Sequence, residues 1–250
     1  MNEPRYISEI QLNSKPDSSS YLSELPVVTH LAAMHRLPLT SNVTFFVGEN
    51  GTGKSTLLEA IAVAYGFNAE GGTRNFCFST NATHSELWEH LTLLKRSYAR
   101  DGFFLRAESL YNVATNIEEL DAIPAAAPSI ASSYGGVSLH HQSHGESFLA
   151  IVQNRFGGNG LYLLDEPEAA LSPKRLLTLM AEINTLVNNN SQFIIATHSP
   201  MLLTLPGADI LEFSQKGIRR VSYRETEHYQ ITRRFLENPE KMLRYLLEKP

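Results

Sequence analysis

Residues 48–56 read GENGTGKST and decide how the rest of the chain is interpreted. A β-rich apolar run, VTFFV at residues 43–47, precedes them, and a helical pattern, LLEAIAVAY at residues 57–65, follows. Glycines permit backbone angles and close approaches that a side chain would block. Successive N–H groups can then face one point at the start of a helix, where the helix dipole favours an anion. The stretch matches the phosphate-binding loop pattern G-x-x-x-x-G-K-[ST], in the strand–turn–helix context that the pattern requires.

This loop predicts the side chains that hold a nucleotide. Lys54 can reach the outer phosphates, and the Ser55 hydroxyl can hold a Mg²⁺ that bridges them. The alternative is a chance match in a glycine-rich turn, and the strand–turn–helix context argues against it. The predicted phosphate-binding residues are Asn50, Gly51, Thr52, Gly53, Lys54, Ser55 and Thr56.

The composition limits the class of protein. A chain of 250 residues with 42% hydrophobic residues fits one large α/β domain, or one domain with a small insert. The net charge of −5 gives no overall basic excess that would indicate nucleic acid, although a local basic groove stays open. The single cysteine, Cys77, excludes an intrachain disulfide and fits a reducing compartment. Because there is neither a signal pattern nor an apolar run of about 18 residues, we expect a cytoplasmic protein with no membrane segment.

Apolar runs that alternate with helical patterns predict an α/β fold with a mostly parallel sheet covered by helices. Strands are predicted at residues 5–12 (an edge strand), 43–47, 75–80, 103–105, 160–164 and 192–196, with a closing hairpin at 208–213 and 217–223. Helices are predicted at residues 54–65, 108–120, 146–156, 173–187, 227–236 and 239–248.

Four segments carry other expectations. Residues 85–99 read either as a helix or as a strand of an antiparallel subdomain, and residues 31–37 as a short helix or strand. Asp101-Gly102 is a turn signal. Residues 121–139, which are rich in Ala, Pro, Ser and Gly, look like a mobile linker.

Two further strands end in residues that carry chemistry. Asp165 and Glu166 follow the strand at residues 160–164, and His198 follows the strand at residues 192–196. Active sites of parallel sheets gather at the carboxyl ends of the strands. Asp165 suits the Mg²⁺ shell, Glu166 can polarise a water for in-line attack, and His198 can hydrogen-bond the terminal phosphate. The plainer alternatives are a solvated strand end for the acidic pair and a structural cap for His198.

Residues 140–148 read HHQSHGESF and permit two interpretations. Three histidines within five residues suggest a metal cluster, but no Cys or carboxylate completes a familiar ligand spacing. A serine and a glycine backbone just before a helix instead make a second anion site, with Ser143, Gly145 and Glu146 as its residues. Such a site makes sense if it serves the nucleotide of another subunit.

The motifs GENGTGKST, SHGES, LYLLDEPEAALS and ATHSP, in that order, resemble those of ABC-type ATPase heads, and in particular the SMC/RecF/OLD-like branch. This resemblance implies ATP and Mg²⁺ as ligands and a P-loop NTPase fold with an antiparallel β subdomain. It implies one domain, in which residues 1–107 and 144–250 form the nucleotide-binding lobe. Residues 108–143 would be a small helical insert that ends in the signature turn (residues 143–146).

The resemblance also implies a homodimer. In a head-to-tail arrangement with two ATP molecules between the protomers, each P-loop faces the signature turn of the other protomer. Residues 169–172 match the D-loop, and Glu108 stands near the position of a Q-loop glutamine and is a candidate metal ligand. The chain departs from the transporter signature LSGGQ, because a histidine replaces the first glycine and Glu146 ends the motif.

Three functions are compatible with these features. The first is an ATP-driven dimerisation switch in DNA maintenance or phage defence, with DNA as a candidate partner and a protein effector. The second is the ATP-binding subunit of a membrane transporter, which the non-transporter signature disfavours. The third is a nucleotide-binding adaptor with little turnover, which the glutamate at position 166 disfavours, since a pure binder needs no general base.

Overall fold

The computed structural model describes residues 6–74, 85–122 and 129–247. The strand predicted at residues 75–80 and Cys77 therefore lie outside the described residues, as does part of the predicted linker.

The order of elements alternates strands with helices along most of the chain. The strands are β1 (Ile7–Leu12), β2 (Arg36–Pro38), β3 (Val43–Gly48), β4 (Leu91–Lys95), β5 (Asp101–Arg106), β6 (Gly160–Asp165), β7 (Gln192–Ala196), β8 (Asp209–Ser214) and β9 (Gly217–Val221). The helices are α1 (Pro26–Met34), α2 (Lys54–Tyr65), α3 (Leu110–Asp121), α4 (His144–Arg155), α5 (Pro167–Ala170), α6 (Pro173–Asn188), α7 (Glu227–Glu237) and α8 (Pro239–Leu247).

Within the described residues, the larger sheet has six strands in the order β5-β6-β7-β3-β8-β9. All neighbouring pairs are parallel except β8 and β9, which form the predicted antiparallel hairpin. The strands β3, β6 and β7 are buried along their whole length, as expected when helices cover both faces. The predicted fold class is confirmed.

The smaller sheet is antiparallel and has the order β2-β1-β4. The prediction of β1 as an edge strand is wrong, because β2 and β4 pair with it on both sides. The open choice at residues 85–99 resolves into a 3₁₀ helix (Glu86–His90) followed by strand β4, and residues 31–37 contain the end of α1 and the start of β2.

One further expectation is corrected. Asp101 and Gly102 do not form a turn but begin strand β5. The Asp101 carboxylate is held there by Arg155 at 2.8 Å and by the Tyr162 hydroxyl at 2.7 Å, so tertiary contacts override the local turn preference. Within residues 121–139, the described part contains a 3₁₀ helix at Ile130–Tyr134, and another, Leu139–His141, begins at its end. The expectation that this segment is a mobile linker stays a prediction.

Each face of the larger sheet has its own hydrophobic core. Phe45 and Tyr162 point to the core beneath α3, α4 and α6. Phe46 and Leu163 point to the opposite core, which α2 shares with the antiparallel sheet. The alternation of successive side chains between faces produces this division. Because β3, β6 and β7 are paired in parallel, their carboxyl ends lie at one edge of the sheet, where the predicted functional residues meet.

Across residues 6–74, 85–122 and 129–247, no helix combines the length and the apolar run that crossing a bilayer requires.

Candidate nucleotide site

The loop between β3 and α2 is built around glycines that no other residue could replace without strain. Gly48 has a φ of +132°, and a Cβ there would lie 2.0 Å from the carbonyl oxygen of Phe213. Gly53 has a φ of +92° and immediately precedes α2. Of the predicted phosphate-binding residues, Asn50 and Gly51 are exposed at the tip of the loop, Thr52 is buried, and Thr56 lies in the first turn of α2.

Lys54 is folded back onto its own loop. Its Nζ donates hydrogen bonds to the carbonyl oxygens of Gly48 at 2.7 Å and Glu49 at 2.8 Å. Burial lowers the pKa of Lys54, and the negative charges of Glu166 and Asp165 oppose that shift. The ammonium group is thus held in the loop by neutral carbonyl oxygens, which a phosphate could replace as acceptors.

Ser55 and Asp165 meet as the sequence predicts. The Ser55 hydroxyl donates a hydrogen bond of 2.9 Å to Oδ1 of Asp165 across the ends of β3 and β6. Burial raises the pKa of Asp165 to about 6, against the opposing effect of Arg106, whose Nε lies 3.6 Å from Oδ2. The positive charge of Arg106 therefore does not fully offset the cost of desolvating this carboxylate.

This pair fits a magnesium ion. A hydroxyl and a carboxylate are the oxygen ligands that Mg²⁺ uses beside phosphates. A bound cation would also stabilise the ionised form of Asp165, which burial disfavours. Glu108, the third predicted ligand, has a mostly exposed side chain that forms an ion pair with Arg106. A cavity of about 340 Å³ adjoins these residues, and its lining also includes Glu166 and His144.

Arg106 is a residue of this site that the sequence analysis missed. It is the last residue of β5 and lies directly beside Asp165 in the strand register. Its guanidinium also contacts Glu59 of α2 at 2.8 Å. Parallel pairing of β5 with β6 brings it here, and no motif in the sequence marks it.

Glu166 sits on a strained turn. Its φ of 48° and ψ of 52° place a non-glycine residue in the left-handed region, directly before Pro167. Its backbone N–H donates to the carbonyl oxygen of Ala196 at 3.0 Å, which fixes the turn against the end of β7. Strain of this kind persists where the surrounding structure enforces it, commonly at functional sites.

His198 lies opposite this turn. Its Nε2 is 3.6 Å from Oε1 of Glu166. Glu168 holds the same loop, because its carboxylate accepts hydrogen bonds from the backbone N–H of His198 and, at 2.8 Å, from the Thr197 hydroxyl. The structure thus brings Lys54, Glu166 and His198 to one edge of the sheet, and burial lowers the pKa of His198.

His228 is the second residue that the sequence analysis missed. Its Nε2 is 3.0 Å from Nδ1 of His198. It lies in the first turn of α7, a helix that the sequence pattern predicts without indicating where it packs. Its position depends on contacts that are remote along the chain.

The signature turn forms a capping box at the start of α4. The Glu146 carboxylate accepts hydrogen bonds from the Ser143 N–H at 3.0 Å and the Ser143 hydroxyl at 2.6 Å, and it pairs with Arg175 at 2.9 Å. A Cβ on Gly145 would lie 2.7 Å from the carbonyl oxygen of Ala170 in the predicted D-loop. These contacts within one chain are sufficient to explain why a glycine stands at position 145 and a glutamate at position 146. A role of the turn in nucleotide binding stays a prediction.

Two histidines near this turn, His140 and His144, line a common cavity but have different further contacts. His140 contacts the Thr115 hydroxyl at 3.1 Å and packs edge-on against Tyr111. His144 also lines the cavity beside Asp165. In the part of the chain that the structure describes, no group of three His, Cys, Asp or Glu residues is arranged to hold a metal.

Comparison with known families gives two matches. An AAA domain family, whose description names a candidate AbiEii toxin of type IV toxin–antitoxin systems, matches residues 120–204. A second AAA domain family matches residues 33–97. Together with the P-loop, the strand-end carboxylates and the sheet order, these matches to two parts of the chain show that it is similar to ABC-type P-loop ATPase domains.

Particular relatives come from transport systems. The ribose import ATP-binding proteins RbsA of two Bacillus cereus strains are 28% identical over 178 residues and 26% identical over 181 residues. Each alignment covers 64% of this chain, and the chain spans only 35% of the relative.

Solved structures support the fold. CbiO1 of Clostridium perfringens, part of the ABC transporter complex cbiONQ, superposes with a TM-score of 0.51 at 15% identity, covering 95% of this chain and 98% of that one. A chain of a candidate metal-chelate type ABC transporter, in an inward-facing conformation, gives 0.50 at 14% identity, covering 91% and 88%. At these identities the likeness concerns the fold alone.

Proposed function

We propose that this chain binds ATP with Mg²⁺ and hydrolyses it, and that turnover requires two copies arranged head to tail. The observation that carries the proposal is the strained Glu166 turn, which places a carboxylate 3.6 Å from His198 beside the Ser55–Asp165 pair. A protein that only binds nucleotide has no need of this carboxylate, whereas hydrolysis needs a base at that place.

The roles of the side chains follow from their positions. When ATP binds, the Lys54 ammonium group donates hydrogen bonds to phosphate oxygens in place of the loop carbonyl oxygens, and its positive charge offsets the negative charge of the phosphates. Ser55 and Asp165 hold Mg²⁺, which neutralises charge on the phosphates when it is bound. Glu166 orients a water and accepts its proton, while His198 donates a hydrogen bond to the phosphate under attack. Glu108 is proposed as a metal ligand once its ion pair with Arg106 opens.

The test is ATP turnover measured over a range of protein concentrations. Glu166→Gln should lower turnover by roughly 10²–10⁴-fold, the range of general-base catalysis, while ATP binding persists and an ATP-bound dimer accumulates. Lys54→Ala should instead abolish ATP binding. Glu182→Gln is a matched control, because Glu182 lies on α6 and its carboxylate contacts Gln153, away from the site.

Two results would contradict the proposal. Normal turnover by Glu166→Gln would place the base elsewhere, and wild-type affinity in Lys54→Ala would remove the P-loop assignment. Turnover per subunit that rises with concentration supports the composite dimer site. Light scattering of Glu166→Gln with ATP then measures the dimer directly.

We further propose that hydrolysis drives a conformational switch, in the manner of the SMC/RecF/OLD-like branch, in DNA maintenance or phage defence with a protein effector. The SHGES form of the signature turn and the toxin–antitoxin description of one matched family support this setting. The overall charge of −5 does not favour DNA, so stimulation of turnover by duplex DNA is the deciding measurement.

The second candidate is the ATP-binding part of a transporter, and the RbsA relatives favour it. The two candidates separate on what changes turnover. Stimulation by duplex DNA supports the first, whereas indifference to DNA with co-purification of a membrane protein supports the second.

A further inference from the structure

Helix α7 carries a residue that the proposed reaction does not yet use. His228 touches His198, and each ring has one buried nitrogen without a hydrogen-bond partner among the described residues: Nε2 of His198 and Nδ1 of His228. Burial is the main cause that lowers the pKa of both histidines. Near pH 8 both rings are therefore neutral and carry one proton each.

Two neutral rings can share this hydrogen bond in only two ways. In the first, Nδ1 of His198 donates to Nε2 of His228. The bare lone pair of His198 Nε2 then faces the Glu166 carboxylate, and an unpaired N–H is buried at Nδ1 of His228. In the second, Nε2 of His228 donates to Nδ1 of His198. His198 then presents Nε2–H toward Glu166, and only an acceptor is left unpaired at His228.

The second arrangement is favoured at both ends of the pair. It replaces a repulsion between a lone pair and a carboxylate, 3.6 Å apart, with an attraction. It also avoids burying an unpaired N–H, which is rarer in proteins than an unpaired acceptor. We propose that His228 is a positioning residue, which holds His198 in the Nε2–H tautomer that can donate to a phosphate.

The start of α7 is built to hold His228 in place. Thr226, the residue before the helix, is fully buried, and its hydroxyl accepts a hydrogen bond of 3.4 Å from the Tyr229 N–H. The Tyr229 ring packs against Tyr223 with 4.5 Å between ring centroids. No residue of α7 itself is fully buried, and His228 and Tyr229 in its first turn are half-buried. The helix is thus fixed at its first turn, and a displacement of that turn would release the His198 tautomer.

This inference rests on the proposed function for its catalytic consequence but not for its geometry. The test is therefore ¹⁵N NMR of the imidazole nitrogens in nucleotide-free protein near pH 8, with His198→Asn used to assign the signals. In the wild type we expect a proton on Nε2 of His198 and none on Nδ1. Finding the proton on Nδ1 would overturn the inference whether or not the protein hydrolyses ATP.

Variants of His228 separate positioning from simple packing. His228→Leu removes the donor, and we expect a mixture of His198 tautomers and a roughly tenfold lower kcat with little change in KM, as for the loss of one oriented hydrogen bond. His228→Gln keeps a donor near the Nε2 position and should restore both the tautomer and kcat.

His90→Leu is the matched control. It removes an imidazole whose Nδ1 is 2.8 Å from the Ser14 hydroxyl, in the antiparallel part of the molecule, and should change neither readout. An unchanged His198 tautomer in His228→Leu would overturn the inference. So would a loss of kcat that His228→Gln fails to restore while the protein stays folded.

Discussion

At the scale of single residues, the candidate site combines side chains that the sequence motifs predict with others that they do not. The sequence predicts that Lys54, Ser55, Asp165, Glu166 and His198 lie close together, because each belongs to a segment that follows a buried strand of a parallel sheet. Arg106 and His228 could not be predicted there, since each reaches the site through strand pairing or helix packing that is remote along the chain.

The Asp165 carboxylate makes stability depend on pH. Its pKa rises from 3.8 to about 6 on folding, so the folded state favours the protonated form. The stabilisation from that protonated form is present below about pH 4 and lost as the pH rises through 6, at a cost of about 3 kcal/mol for a shift of this size. Asp165→Asn, which carries no charge, escapes this loss. We therefore expect the free energy of unfolding of Asp165→Asn, relative to that of the wild type, to increase between pH 4 and pH 7.

Urea unfolding at several pH values, with EDTA present, measures this gain. The exposed Asp17 is the control, because the backbone N–H of Ser19 holds its pKa below the usual value and Asp17→Asn should not gain stability as the pH rises. A difference between Asp165→Asn and wild type that does not vary with pH would contradict the assignment of a desolvated carboxylate.

At the scale of elements, local signals predict helices and strands well where they coincide with tertiary requirements. The bounds of α2 and β7 agree with the sequence, because glycines flank α2 at both ends and β7 is a short apolar run. The turn expected at Asp101-Gly102 was wrong because Arg155 and Tyr162 hold Asp101 in strand β5.

The junction of β3 and α2 permits a comparison of two glycines. Both Gly48, with a φ of +132°, and Gly51, with a φ of +79°, have positive φ, so alanine is strained at either position. Only at Gly48 does the added Cβ meet other atoms, at 2.0 Å from the Phe213 carbonyl oxygen, whereas Gly51 has open space. We expect Gly48→Ala to be less stable than Gly51→Ala by about 1–3 kcal/mol, the usual cost of overpacking.

Chemical denaturation of the two variants tests this difference. Equal loss of stability would mean that β8 can move away from the loop. ATP binding supplies a second readout, since a shift of β8 against β3 would also displace the loop that follows Gly48.

At the scale of the whole molecule, the two sheets are joined by a side chain that sequence patterns do not reveal. Gln192 begins β7 in the larger sheet and is buried. Its amide oxygen accepts from the Ile7 N–H at 2.9 Å and its amide nitrogen donates to the Ile7 carbonyl oxygen at 2.8 Å, so it pairs with β1 of the smaller sheet. The sequence predicts the strands β1 and β7, but it does not predict the hydrogen bonds between Gln192 and Ile7 that connect them.

Gln192→Leu should therefore weaken the whole molecule. It leaves two buried backbone groups of Ile7 unpaired, and each such group costs about 1–3 kcal/mol. Gln11→Leu is the matched control, because Gln11 lies on β1 and its side-chain amide donates a hydrogen bond to the neighbouring Glu9 carboxylate rather than to the other sheet. Substitutions at such partly exposed positions change stability by about 0.5 kcal/mol or less.

Two probes decide whether the sheets unfold together. The single tryptophan, Trp88, packs against the core that the antiparallel sheet shares with α2, so its fluorescence reports on that side of the molecule. Circular dichroism reports on all helices and strands. This core continues from the smaller sheet onto one face of the larger one. We therefore expect the midpoints of both unfolding transitions to shift together to a lower urea concentration in Gln192→Leu. If the fluorescence transition separates from the dichroism transition, the antiparallel sheet unfolds by itself and Gln192 ties two independent units.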